Sequence, residues 1–116
     1  MGEYLQVFTT TAAKEEAERM ARALVERRLV ACAQVLGPIT STYRWQGRVE
    51  VAQEWLLLLK TKRALYGELE RAIRELHPYE VPEIVAVPVT AGSQQYLEWL
   101  EGALKGGVNA PEPEVP

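Results

Sequence analysis

The chain has no aspartate and only one asparagine, one histidine, one cysteine and one phenylalanine in 116 residues. Each scarcity removes possibilities. A lone Cys32 permits no intrachain disulfide, so nothing in the cysteine usage points to an oxidising compartment. Without Asp, any carboxylate chemistry or hard-cation site must draw on the sixteen glutamates, and the EF-hand loop pattern is missing. Scarcity of labile Asn and Asp, with Arg outnumbering Lys nine to four, leans toward a heat-stable source. No apolar run approaches the roughly 20 residues that span a bilayer. The opening "MGEYLQVF" has neither a basic region nor a hydrophobic leader, and Gln6 departs from the myristoylation pattern. The expectation is a cytoplasmic protein without a membrane partner. A net charge of -3 and a pI near 5.3 provide no footprint for nucleic acid. Small molecules, metal cations or protein partners fit better.

What is present is hydrophobic periodicity sufficient for one domain and one core. "YLQVFTT" (4–10) reads as a strand, and Thr11 as the N-cap of a helix to about Arg28, with Ala13, Ala17, Met20, Ala21 and Leu24 on one face. "LVACAQVLG" and "ITSTYRW" run toward Gln46-Gly47, where "RVEVAQEWLLLLKT" turns back as the second arm of a long hairpin. Thr61 is placed to cap a second helix that ends at His77, because Pro78 cannot continue it. "EIVAVPV" (83–89) reads as the fourth strand, and Ser93 opens a last short helix. The segment 105–116 reads as a Gly/Pro/Glu-rich tail following a domain over 1–104.

The order β-α-β-β-α-β-α, with two echoing halves, predicts an α+β fold of the ferredoxin-like βαββαβ type with an extra C-terminal helix. In that fold the helices cover one sheet face. "WLLLL" (55–59) and "IVAVPV" (84–89) are apolar at consecutive positions, so the other face also requires burial, which predicts a homo-oligomer packed sheet on sheet. An RNA-binding use of that face is disfavoured, since Leu and Val occupy the strand centres, the Lys/Arg-Gly-aromatic signature is missing, and Tyr43 and Trp45, alternating with Arg44, offer a weak stacking platform. No nucleophile elbow, Walker or dinucleotide glycine pattern is present, so no enzymatic activity is expected.

The motifs "ACAQVLGPITSTYRWQGRVE", "HPYEVPEI" and "YLEWL", in this order and at these separations, resemble the CutA family of divalent-cation tolerance proteins. The resemblance runs from about Leu5 to Leu100. It implies a ferredoxin-like protomer in a tight homotrimer akin to the PII signalling proteins, with the hairpin reaching to adjacent subunits and Tyr43, Trp45 and Trp55 at the interface. It further implies a link to tolerance of copper and other divalent cations, with no established reaction, and for animal relatives a link to acetylcholinesterase anchoring. Cys32 and His77 fall on the cysteine and histidine of members thought to bind copper, while Thr9 and Ile73 stand where such members can carry further cysteines.

The single histidine thus has three readings. It is a helix stop whose ring caps carbonyls. Or it ligates a divalent cation such as Cu(II), with Cys32 as soft partner and Glu54 or Glu83 completing the set. Or it lines an organic-ligand pocket with Tyr79, Trp45 and Lys60. Glu50 and Glu54, four apart on a strand, face one side and suit shared ligation or an intersubunit ion pair.

Overall fold

A computed structural model describes residues 3–107. The elements are β1 (Tyr4–Thr11), α1 (Lys14–Glu26), β2 (Cys32–Trp45), β3 (Arg48–Lys62), a 3-10 turn (Arg63–Leu65), α2 (Tyr66–Leu76), β4 (Val85–Pro88) and α3 (Gln94–Ala103). One antiparallel sheet runs in the order β2-β3-β1-β4, which with the two crossover helices is the split βαβ arrangement. Among the described residues no helix is long and apolar enough to cross a membrane. Of the segment 105–116, only residues 105–107 are described, and Lys105 is tied in by its amide to the Arg28 carbonyl and by its Nζ to Glu68. The remainder lies outside the described residues.

Alternation sorts the strands into two faces. Leu5 and Val7 of β1, with Leu57 and Leu59 of β3, are buried beneath Ala17, Met20 and Leu24 of α1 and Leu69, Ala72 and Ile73 of α2. The cross-strand pairs Phe8↔Leu58, Phe8↔Val85 and Leu36↔Leu56 put these side chains on the opposite face. There Leu36 and Val85 remain exposed. α3 covers only one end of this face, where Tyr4 and Lys62 both bond to Glu101.

Several boundaries differ from the sequence expectation. Thr11 does not cap α1: Ala13 holds that position without a side-chain bond, and Thr11 Oγ1 donates to the Ala13 carbonyl. α1 stops at Glu26 rather than Arg28, because Arg28 turns to φ 60° and its guanidinium donates to the carbonyls of Gly102, Ala103 and Leu104. Those acceptors lie far off in sequence, so local periodicity carries no sign of them. Thr61 stays inside β3, donating at 2.8 Å to the Leu29 carbonyl, and the 3-10 turn delays α2. β4 is four residues rather than seven, since its ladder pairs only with Leu5 to Phe8 of β1. The hairpin turn follows expectation, with Gln46 at φ 51° and Gly47 at φ 78° matching the primed two-residue turn. Ser93 caps α3 by accepting from the Tyr96 amide.

Candidate functional site

The site begins where α2 ends. His77 precedes Pro78, and the proline ring disfavours helical ψ at the residue before it, so His77 leaves the helix extended at φ -84° and ψ 134°. This exit folds the imidazole inward, to 7% exposure. The Tyr79 amide donates to His77 Nδ1 at 3.1 Å. An N–H can only be accepted by an unprotonated ring nitrogen, so the proton of the neutral imidazole sits on Nε2, which donates to the Thr10 carbonyl at 2.6 Å. The sequence reading of His77 as a stop is supported in its position but not in its partners: the ring binds a strand carbonyl of β1 and not the end of α2.

Tyr79 follows from this anchoring. Its ring lies 4.6 Å from the imidazole, and its hydroxyl donates to Glu54 Oε2 at 3.0 Å. Burial, then the Glu54 hydrogen bond, push the Tyr79 phenol up to about 12. A chain of contacts from Thr10 through His77 and Tyr79 to Glu54 therefore fixes one wall of a cavity of about 560 Å³. β2 of the hairpin adds Ser41, Thr42, Tyr43 and Trp45 to the lining, and the loop after α2 adds Glu80, Val81 and Glu83. Three carboxylates and three aromatic rings thus meet in one concavity, without a Lys or Arg among its lining residues.

Of the residues singled out in the sequence, Trp45, Glu54, Tyr79, Glu83 and Tyr43 come together here. Cys32 and Lys60 do not. They pair with each other across β2 and β3, and Lys60 is six residues along β3 from Glu54, about 20 Å at the rise of a strand. Lys60 Nζ donates to Gln34 at 2.6 Å. Cys32 neighbours Tyr96 of α3, whose phenol is raised by burial first and then by Cys32. The expected ligand set His77, Cys32, Glu54 and Glu83 is therefore not assembled within one chain. Both ring nitrogens of His77 are engaged, Cys32 lies at the far end of the hairpin ladder, and among the described residues no three His, Cys, Asp or Glu side chains form a metal-holding group. Trp55 is partly buried within its own chain. It packs against its own core, with Lys14 Nζ 5.7 Å from its ring centroid.

Sequence reasoning missed Thr10, Ser41, Thr42, Glu80 and Val81 as lining residues. The alternation Ser41, Tyr43, Trp45 on one arm of a hairpin carried a usable signal, because it puts all three on one side. Nothing local linked them to the loop after α2.

A family model described as "CutA1 divalent ion tolerance protein" matches residues 5–103, nearly the whole described chain. The chain belongs to the CutA1 family. It is 48% identical to the divalent-cation tolerance protein CutA of Thermus thermophilus over 81% of this chain and 91% of that protein. A solved structure of the divalent cation tolerance protein from Thermus thermophilus superposes with a TM-score of 0.86 at 44% identity, covering 88% of this chain and 99% of that one. The chloroplastic protein CutA of Arabidopsis thaliana is 36% identical over 85% of this chain, which spans 54% of that relative's length. CutA1 relatives thus share the sheet and three helices described above.

Proposed function

We propose that this CutA1-family chain is a non-enzymatic homotrimer of PII-like build that binds divalent cations, copper among them, as cargo in cation tolerance. The reading is supported by membership of a family named for divalent-cation tolerance and by a cavity lined by Glu54, Glu80 and Glu83 without a Lys or Arg; these carboxylates do not converge into a metal-holding group within one chain, so the reading expects a neighbouring subunit to complete the site. Relatives named for divalent-cation tolerance supply the biological setting. Carboxylate oxygens suit hard divalent ions, and copper gains from them with less selectivity than from imidazole or thiolate. The reading therefore expects moderate to weak affinity, with His77 holding the loop and Cys32 adding a donor only where a neighbouring subunit brings it within reach. The cytoplasm is the proposed location, and neither nucleic acid nor membrane is a proposed partner of so acidic a chain.

Calorimetric titration of Cu(II), Zn(II) and Mg(II) tests this. The expected result is saturable binding near one ion per chain, copper tighter than magnesium, weakened at least tenfold in a Glu54→Gln/Glu83→Gln variant. Absence of saturable binding for all three ions overturns the reading.

A second reading, a trimeric sensor or scaffold that takes a small organic ligand at its subunit clefts, is favoured by a separate observation. The cavity has the volume of a small-molecule site, and Tyr43, Trp45 and Tyr79 give it aromatic walls that a metal ion does not need.

A further inference from the structure

We propose that the hairpin cavity takes a small aliphatic organic cation, an alkylammonium or diamine, with its charge on Glu54, Glu80 and Glu83 and its carbon chain against Trp45, Tyr43 and Tyr79. The proposal rests on reading the cavity as an organic-ligand site and names the ligand's chemistry. Size comes first: about 560 Å³ falls within the range that encloses small organic molecules and is far more than a bare ion fills. Sign comes second. The lining holds three carboxylates and no Lys or Arg, so an anionic ligand is repelled and a neutral one gains nothing from the charge.

The walls decide between kinds of cation. A hydrated Mg²⁺ holds its waters tightly and asks for octahedral oxygen donors, so indole and phenol faces contribute little to it. An ammonium group with alkyl substituents is attracted to such faces and buries carbon against them. Trp45 is half exposed, as an aromatic surface awaiting a ligand or neighbour would be.

One side of the cavity is preorganised. His77 clamps Thr10 and Tyr79 through its two ring nitrogens, and the Tyr79 hydroxyl orients the Glu54 carboxylate. The ligand therefore meets groups already in place, which reduces the ordering cost of binding.

The test is calorimetric titration of 1,4-diaminobutane and tetramethylammonium chloride into the full chain at low salt, with 1,4-butanediol as the uncharged control and sedimentation run in parallel. Expected are saturable binding of at least one amine and none of the diol, with at least tenfold weakening in Glu83→Gln and in Trp45→Leu. Glu80→Gln serves as a second charge variant at an exposed position, so the result does not depend on one substitution preserving the assembly. The proposal is overturned if neither amine binds, if the diol binds equally well, or if Glu83→Gln and Glu80→Gln both bind amine as the parent does. Amine failure alongside saturable copper binding refutes the organic cation and leaves the metal reading standing. Amine binding without metal binding does the reverse.

Discussion

His77 donates through Nε2 to the Thr10 carbonyl and accepts at Nδ1 from the Tyr79 amide, so one side chain joins β1 to the loop after α2. Replacing it with Ala leaves a buried strand carbonyl unpaired and opens a void. The expected cost is about 2–4 kcal/mol, read as a lowered urea midpoint at unchanged slope; an unchanged midpoint contradicts the clamp. Tyr79 gives a pH signature. Its phenol is held near 12 in the fold against an ordinary 10, so between those values the folded chain retains a proton that the unfolded chain has lost. The stabilisation is whole below pH 10 and is lost as pH rises toward 12. A Tyr79→Phe variant is expected to lose stability less steeply across that window than the parent, and parallel curves refute the assignment. Glu101 runs the other way. Its hydrogen bond from Lys62 lowers its carboxyl against the opposing effect of burial, so its contribution is present above the ordinary carboxylate range and lost as pH falls. At this scale the sequence showed that His77 was worth attention and that Pro78 ended the helix. It did not show Thr10 as the partner, because 67 residues separate them and only the sheet brings them together.

At the scale of elements, the β2-β3 hairpin is the feature that builds the cavity, and its ladder shifts register between Leu36 and Ile39. Gly37 sits in that shift. A Cβ placed there would meet the Trp55 ring at 2.6 Å and 2.9 Å and the Glu54 carbonyl at 3.2 Å. Gly37→Ala is therefore expected to displace Trp55 and cost about 1–3 kcal/mol, a loss visible as a lowered Tm. No change in Tm shows that the indole can yield. The same shift lies next to Glu54, so the variant also tests how firmly the cavity wall is held. Thr61 belongs to this scale too. Its hydroxyl reaches the Leu29 carbonyl across the junction of α1 and β2, and Thr61→Val strands that acceptor at an expected cost of about 1–3 kcal/mol. The turn at Gln46-Gly47 and the Ser93 cap were legible because their causes are local. Thr11 and Thr61 were misread as caps for the converse reason: each has the right residue type before a helical pattern, but its hydroxyl donates to a carbonyl instead of accepting from a helix amide.

For the whole molecule, the order of elements and the sheet order follow from the alternation of periods along the chain, and that is why the fold was largely readable. The candidate site was half readable. Tyr43 and Trp45 stood out in "STYRW" and Tyr79 and Glu83 in "HPYEVPEI", whereas the separation of Cys32 and Lys60 from them follows from strand register, which residue type alone does not encode. The uncovered sheet face, where Leu36, Val85 and Val87 are exposed beside the Phe8, Leu56 and Leu58 positions, carries the argument for assembly. Val49 and Val51 on the projecting hairpin, each 65% exposed, lie by alternation on the other face of β3 and give the hairpin a second apolar surface. The measurement that tests the proposed assembly most directly is sedimentation equilibrium of the full chain at micromolar concentration. The account predicts a single species at three times the 13.0 kDa chain mass. A stable species at the mass of one chain would contradict it, and with it the proposal that the cavity opens at a boundary between subunits.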